Sequence, residues 1–344
     1  MRTGITFLLV MSILITCTAC NKGSVFVPQD DIEYNYNNIS SGNCDFWLTN
    51  DTVYYKASPI YTLYYYKMNQ SKKNRIACAG NAAFAKLLEY EQVLYMLDWT
   101  DEASYRLHSY NLKTGKQEQI TQLDNVHTFF VVREYIYFLQ EDTLGKNVFP
   151  SFHVYSIRDG MQKQIASSVL TAGVVNGYPT YIIQEGDTFS IHSYNVEHNT
   201  STVLGKFDYS IGDRYLGCSF NFTDTQYIFE VSSGETSTLV CYDFKSDQIT
   251  EYMIDGNIYS AVAYQEYIFL VVCSNCNTGD SELWDNVIYR LCLEDGTSVK
   301  ITDQKGMVNM FVGSDDCVYI STVQDWKHIY KYSLNGHKTL VCRR

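Results

Sequence analysis

The chain has 344 residues, of which 38 are acidic and 26 are Lys or Arg, so its formal net charge is −12. An acidic surface repels phosphate backbones, so nucleic acid is excluded as an expected partner. Hydrophobic residues make up 46% of the chain and aromatic residues 15%, against only four prolines. This composition is typical of a folded, strand-rich protein.

The first 19 residues have the layout of a lipoprotein signal peptide. An apolar stretch follows Arg2 and is too short to remain as a membrane anchor. It ends in Cys17-Thr18-Ala19-Cys20, which resembles a lipobox, although Cys17 stands where an aliphatic residue is usual. The resemblance implies that Cys20 becomes a lipidated N-terminus that tethers the protein to a bacterial membrane, outside the cytoplasm. Ordinary secretion with cleavage nearby is the alternative.

A polar stretch follows the lipobox and contains too few large aliphatic residues to pack alone. Residues 20–42 are therefore predicted to be a lipidated cysteine and a flexible tether, and residues 43–344 to be one folded domain. A strand at Ile32 to Tyr36 that helps to close that domain is the alternative interpretation of the tether.

One alternating strand recurs seven times and is followed at once by a polar turn. Its central residue is Tyr in six of the seven copies, and the intervals between successive centres are 44, 45, 39, 48, 49 and 41 residues. A period near forty is typical of one four-stranded blade of a β-propeller. The central residues are Tyr66, Tyr110, Tyr155, Tyr194, Tyr242, Leu291 and Tyr332.

Each copy is preceded by two more apolar strands, as at Phe84 to Leu87 and Leu94 to Met96, and is followed by a hairpin turn and an outer strand. A ring lets every such sheet bury both faces against its neighbours. The predicted fold is therefore all-β, a β-propeller of about seven four-stranded blades. Six or eight blades would also fit, because Asp45 to Asn50 is a weak first strand. A β-sandwich or a β-solenoid is the alternative.

The repeats resemble those of bacterial extracytoplasmic lipoprotein propellers of uncharacterised function and, more distantly, the YWTD-type propellers of lipoprotein receptors. The segments Ile288 to Gly296 and Ile329 to Gly336 carry this resemblance, which extends over residues 45–342. It implies the fold and leaves the activity open, since propellers include enzymes, sensors and scaffolds.

Three histidines and one cysteine pair are the candidate metal or redox residues. His108, His153 and His192 occupy the same repeat position in successive blades, too far apart to share an ion, so packing is expected and a metal site is not. Apart from Cys17 and Cys20 at the lipobox, Cys273 and Cys276 form the only CxxC pair, outside any redox or zinc context. A loop-stapling disulfide or two thiols is the favoured interpretation.

Three tryptophans, each beside an aspartate, fall in connections between second and third strands, which a propeller places on one face. An indole beside a carboxylate can stack on a sugar or hold a cationic group, although each Trp can equally cover the rim of its own blade. The predicted ligand-binding residues are Asp98, Trp99, Trp284, Asp285, Asp325 and Trp326.

The leading functional hypothesis is a membrane-anchored binding or scaffold propeller that recognises a glycan, peptide or envelope protein through this face. The alternative is a cell-surface carbohydrate-active enzyme with an acidic site on the same face. A purely structural envelope accessory is the third interpretation. The chain has no GxSxG, Walker or Rossmann motif, which favours binding over catalysis. No cofactor is expected, and the protein is expected to be a monomer.

Overall fold

The computed structural model describes residues 46–49, 52–57, 62–67, 73–76, 84–99, 105–120, 126–141, 149–234, 236–275, 281–313, 315–322, 324–325 and 327–343. The predicted signal peptide, Cys20 and the tether lie outside the described residues. So does the alternative strand at Ile32 to Tyr36.

The described strands form seven four-stranded antiparallel sheets, and each sheet consists of four consecutive strands. Blades 1 to 4 comprise β1 (Phe46–Thr49), β2 (Thr52–Ala57), β3 (Thr62–Lys67), β4 (Lys73–Ile76); β5 (Phe84–Tyr90), β6 (Val93–Trp99), β7 (Tyr105–Asn111), β8 (Gln117–Gln119); β9 (Val126–Val132), β10 (Tyr135–Gln140), β11 (Ser151–Ser156), β12 (Gln162–Ala166); β13 (Val169–Val175), β14 (Tyr178–Glu185), β15 (Thr188–Asn195), β16 (Thr200–Asp208).

Blades 5 to 7 comprise β17 (Tyr215–Phe222), β18 (Gln226–Ser232), β19 (Thr236–Asp243), β20 (Gln248–Asp255); β21 (Asn257–Tyr264), β22 (Tyr267–Cys273), β23 (Asp285–Cys292), β24 (Ser298–Lys305); β25 (Val308–Val312), β26 (Val318–Thr322), β27 (His328–Tyr332), β28 (Lys338–Arg343). One 3₁₀ turn, Ser281–Leu283, precedes β23. The predicted all-β propeller and its order of inner, second, third and outer strands are confirmed.

Burial along each blade explains the repeat. In β22 every residue after Tyr267 is buried, because the second strand lies between neighbouring blades on both sides. The third strand β23 alternates between buried and partly buried residues, and the outer strand β20 is mostly exposed. Long apolar runs therefore mark the inner half of a blade, and the alternating tyrosine motif marks the third strand.

Apolar clusters fill every gap between neighbouring blades. The cluster around Phe46 joins blade 1 to blades 2 and 7, and five further clusters occupy the remaining gaps. The inner strand β1 contacts both β5 and β25, with the Phe46 and Phe311 ring centroids 4.9 Å apart. The ring is thus closed by side-chain packing between blades 1 and 7.

Candidate functional site

Connections between second and third strands leave the same face of the propeller as the connections between blades, because successive strands alternate in direction. We call this the connection face. Trp99 is the last residue of β6 in blade 2, whereas Trp284 immediately precedes β23 in blade 6. Asp325 lies between β26 and β27 in blade 7. Trp326 and the side chains of Asp98 and Trp99 lie outside the described residues.

Asp285 holds the connection between β22 and β23 in place. Its carboxylate pairs with the ammonium group of Lys305, and its backbone N–H donates to Asn275 Oδ1 at 2.6 Å. The Asn275 amide in turn donates to the Leu283 carbonyl at 2.9 Å and to Asp285 Oδ2 at 3.3 Å. The aspartate beside Trp284 therefore fixes the loop that carries the indole.

Asp325 contacts two side chains of the third strand of blade 7. Its two carboxylate oxygens lie 2.6 Å from His328 Nδ1 and 3.0 Å from the Tyr330 hydroxyl, which donates to it. Burial opposes ionisation, but the hydrogen bonds from His328 and Tyr330 outweigh it and hold the pKa of Asp325 below its usual range. Asp325 is therefore an ionised acceptor at neutral pH.

A cleft of about 320 Å³ opens between blades 6 and 7, where β24 and β26 end and β27 begins. We call it the 6–7 cleft. Two hydrogen bonds cross it: Gln324 Nε2 donates to the Glu282 carbonyl at 2.6 Å, and Gln304 Nε2 donates to the Tyr332 hydroxyl at 3.0 Å. Its lining residues are Asp303, Gln304, Lys305, Ile320, Ser321, Thr322, Gln324, Asp325, Tyr330 and Lys338.

The charged side chains of the cleft are already engaged within the protein. Lys305 pairs with Asp285, and Asp303 lies 2.7 Å from Lys300. Lys338 Nζ lies 3.7 Å from the centre of the Tyr330 ring, a cation–π contact. With two lysines and two aspartates in its lining, the cleft has no excess charge, which suits an uncharged polar ligand.

Trp284 lies on the blade 6 side of the same gap and is partly buried. Its ring meets Tyr259 edge-on, with centroids 5.1 Å apart, and Tyr259 packs against the apolar cluster between blades 6 and 7. Asp325 therefore lines the cleft, and Trp284 and Asp285 lie in the neighbouring connection of blade 6 without lining it, while Trp99 belongs to blade 2.

Of the predicted ligand-binding residues, Asp325 lines the cleft, whereas Gln304, Thr322, Gln324 and Lys338 line it without having been predicted. Gln304, Thr322 and Lys338 lie at or near strand ends, and Gln324 lies in the connection between β26 and β27. These residues become neighbours only because blade 6 packs against blade 7, and no local sequence pattern predicts that packing.

Two of the three repeated histidines pack as expected. His153 stacks on Phe138 with centroids 5.2 Å apart, and His192 stacks on Tyr181 at 5.0 Å. Burial lowers the pKa of His153 to about 4 and also lowers that of His192. Within the described part of the chain, no three His, Cys, Asp or Glu side chains gather as a metal site would require.

The predicted cysteine pair is only half described. Cys273 is buried at the end of β22, with its sulfur 3.8 Å from Asn275 Oδ1. Cys276 lies outside the described residues, so the loop-stapling disulfide stays a prediction.

One carboxyl with a raised pKa lies away from the cleft. Glu230 in β18 is 3% exposed, and burial raises its pKa to about 7 despite hydrogen bonds from Ser237 and the Ile258 backbone. Oε1 accepts a 2.7 Å hydrogen bond from Ser237, and Oε2 lies so near Gly217 that a Cβ there would be 2.1 Å away. Its side chain shares the face of β18 with Ile228, toward blade 6.

Comparisons with known proteins identify the fold alone. No protein family matches the sequence, and no curated protein does either. Among solved structures, the chain is similar to the propeller domain of the Trilobed protease from Pyrococcus furiosus, with a TM-score of 0.56 and 9% identity over 87% of this chain and 94% of that one.

Two longer proteins contain a similar propeller. The acylaminoacyl peptidase matches with a TM-score of 0.55 and 9% identity over 87% of this chain, and the tricorn protease with 0.53 and 10% over 86%. The chain spans 52% of the first protein and 34% of the second. The Trilobed protease propeller is described as having an open velcro topology.

No helix within the described residues has the length and the apolarity that crossing a membrane requires.

Proposed function

We propose that the protein is a lipid-anchored, extracytoplasmic binding propeller that holds a glycan, peptide or envelope protein on its connection face. The 6–7 cleft is the proposed recognition site. The observation that carries this proposal is a cleft whose walls come from two blades, with Asp325 in its lining and with Asp285 paired to the lining residue Lys305. Clefts of a few hundred Å³ with a few fixed polar groups are typical ligand sites.

The geometry favours binding over the carbohydrate-active enzyme. A general acid for glycoside cleavage needs a raised pKa, whereas hydrogen bonds lower the pKa of Asp325 in the cleft. Glu230, whose pKa is raised, lies between blades 5 and 6 and is 3% exposed. The enzyme therefore remains the less favoured alternative.

A binding screen tests the proposed site. The purified full chain is presented to bacterial envelope glycans, host glycans and peptides, alongside Gln324→Trp. Gln324 is exposed and lines the cleft, so an indole there obstructs the mouth without altering the buried core. We expect Gln324→Trp to weaken binding at least tenfold.

The matched control is Asp187→Trp. Asp187 is exposed in the connection between β14 and β15, on the same face but in blade 4, and this variant should bind like the wild type. An equal loss of binding in Gln324→Trp and Asp187→Trp would show that the ligand binds elsewhere on the connection face. An absence of binding by the wild type would favour the scaffold interpretation.

The proposed lipid anchor at Cys20 is tested by a separate substitution. Cys20→Ser removes the sulfur that the proposed lipid needs, so the variant should lose an incorporated clickable palmitate and leave the membrane fraction. Retention of both the label and the membrane association would contradict lipidation at Cys20.

A further inference from the structure

Each blade ends in an outer strand with one open edge, and most of these edges carry features that discourage pairing with another chain. β4 and β8 have only four and three residues. β12, β16, β24 and β28 each pair with the third strand of their blade through a register shift, and each contains a Lys or an Arg. Short strands, bulges and basic side chains are the usual protection of a sheet edge.

β20 in blade 5 is the exception among the described outer strands. It has eight residues, Gln248–Asp255, and contains no proline, lysine or arginine. All eight residues pair with β19 without a register shift, and β20 pairs with no other strand in the described part of the chain. At about 3.4 Å for each residue, its open edge is about 27 Å long. This edge is long and regular enough to accept another strand.

The hairpin before β20 determines which backbone groups are open. The Phe244 N–H donates to the Thr225 carbonyl at 2.8 Å, on the side of β18, whereas the Asp243 carbonyl accepts from the Asp247 N–H at 3.0 Å, on the side of β20. Hydrogen-bonded and non-bonded pairs alternate along an antiparallel ladder, so Tyr242 and its partner in β20 form a non-bonded pair. The same alternation leaves open the N–H and C=O groups of Ile249, Glu251, Met253 and Asp255.

The side chains of these four residues lie on the face of β20 toward blade 4. Glu251 pairs with Val240, which belongs to the apolar cluster between blades 4 and 5, and its carboxylate accepts a 2.7 Å hydrogen bond from the Tyr209 hydroxyl. Ile249 is 38% exposed and Met253 is 83% exposed. Two exposed apolar side chains therefore alternate with two carboxylates along the open edge.

Charge selects the kind of strand that fits this edge. β20 has two acids and no base, and the whole chain has a net charge of −12. Arg214 lies over the Tyr209 ring, 5.6 Å from its centre, and already donates to the Ser210 and Ile211 carbonyls. A second copy of the chain would bring four carboxylates together, and like charges on paired strands are destabilising. A basic strand is therefore favoured over self-association.

We propose that the open edge of β20 is a docking site for an extended, basic segment of another protein, which adds to blade 5 as a fifth strand. Hydrogen bonds to the open N–H and C=O groups supply affinity, and alternate side chains supply specificity. Lys or Arg residues four positions apart, with an apolar residue midway, would face Glu251, Met253 and Asp255. This surface is separate from the 6–7 cleft and goes beyond the proposed recognition site.

Calorimetric titration of the full chain with synthetic peptides tests this proposal. The basic probe is Thr-Lys-Thr-Val-Thr-Lys-Thr-Val, and the acidic probe has Glu in place of each Lys. We expect the basic peptide to bind at least tenfold more tightly. Methylation of alternate backbone nitrogens along one edge of the basic peptide should abolish binding, whereas methylation along its other edge should leave binding intact, because strand addition uses one edge only.

Met253→Pro tests the backbone of β20 itself. The Met253 N–H is directed away from β19, so proline removes a donor of the open edge and no bond of the β19–β20 ladder. The variant should keep the thermal stability of the wild type and bind the basic peptide about three- to tenfold more weakly, the loss expected for one hydrogen bond. Met253→Ala is the matched control, since it keeps the N–H, and it should bind nearly as well as the wild type.

The opposite outcomes would overturn the proposal. Failure of the wild type to bind the basic peptide, or equal binding of the acidic one, would contradict a basic partner. Binding that is unchanged in Met253→Pro would contradict the β20 edge, and if that variant does not fold, the two methylated peptides decide the question. A concentration-dependent dimer that Met253→Pro abolishes in sedimentation would make a second copy the occupant. Loss of peptide binding in Gln324→Trp would place the peptide in the 6–7 cleft instead.

Discussion

At the scale of single residues, Glu230 shows how neighbouring blades set the chemistry of a side chain. Its carboxyl is enclosed between Gly217, Ser237 and Ile258, and one oxygen has no hydrogen-bond partner in the described part of the chain. Without a neighbouring cation, burial dominates and the neutral form is favoured. In the sequence Glu230 is a single acidic residue within a strand, and the residues next to it do not predict that its carboxyl is buried.

Glu230 should make stability fall as pH rises. Burial raises its pKa from 4.5 to about 7 in the folded chain, so folding favours the protonated carboxyl. Its contribution is fully present below about pH 4.5 and is lost as pH rises through about 7. The change corresponds to about 3 kcal/mol in the free energy of unfolding.

Glu230→Gln removes this titration, so the variant should gain stability relative to the wild type between pH 5 and pH 8. Urea denaturation at a series of pH values measures this difference. A difference between variant and wild type that stays constant across that range would show that Glu230 keeps an ordinary pKa.

The predicted site residues also show which features of a site cannot be predicted from the sequence. The Asp–Trp pairs could be found because they recur in one class of connection, and the aromatic and acidic residues are informative in themselves. The partners that determine what each aspartate does, Lys305 for Asp285 and Tyr330 for Asp325, lie on other strands. Sequence therefore located these connections, whereas the roles of their carboxylates depend on tertiary structure.

At the scale of elements, the Asn275 side chain supports the described part of the connection between β22 and β23, together with Asp285. Asn275 accepts from the Asp285 N–H and donates to the Leu283 carbonyl, so it bridges both ends of the turn that leads to Trp284. Asx side chains commonly replace backbone hydrogen bonds in this way.

Asn275→Ala should loosen this connection without disturbing the blades. Amide exchange at Asp285 should accelerate, because its N–H loses its acceptor, and ligand affinity at the cleft should fall by severalfold. Hydrogen exchange followed by mass spectrometry checks the first effect and calorimetry the second. Accelerated exchange throughout β22 and β23 would instead indicate that Asn275 supports the whole blade.

Strands were predictable because their burial is periodic or continuous. The strand predicted at Phe84 to Leu87 begins at the same residue as β5, and the weak first strand at 45–50 is present as β1. Side-chain placement around a gap was not predictable, because it depends on how two twisted sheets meet. The repeat therefore determines the blades, and the packing between blades determines the cleft.

At the scale of the whole molecule, closure depends on blade 1 meeting blade 7. Each blade is built from its own four strands, so no strand pairing of the described chain joins the two ends of the ring. Phe46 is fully buried against Phe311 and belongs to the cluster that joins these blades. Side-chain packing between blades 1 and 7 therefore closes the ring, as a shared strand does in other propellers.

Phe46→Ala should destabilise the entire domain by about 3–5 kcal/mol, the usual cost of removing a fully buried phenyl ring. The loss should appear as one cooperative transition at lower denaturant concentration, since opening the ring exposes two blades at once. Met253→Ala, at an 83% exposed position of β20, is the control and should be neutral. A separate early transition confined to blade 1 would contradict closure by this contact.

The most direct test of the account follows the tryptophan indole N–H groups by nuclear magnetic resonance. The chain has four tryptophans, and Trp284→Phe and Trp99→Phe assign two of the indole resonances. On titration with the ligand that the binding screen identifies, the account predicts that the resonance of Trp284, which lies in the connection beside the 6–7 cleft, shifts in a saturable manner, while the Trp99 resonance stays in place. A ligand that calorimetry shows to bind but that leaves the Trp284 resonance unmoved would contradict the 6–7 cleft as the recognition site.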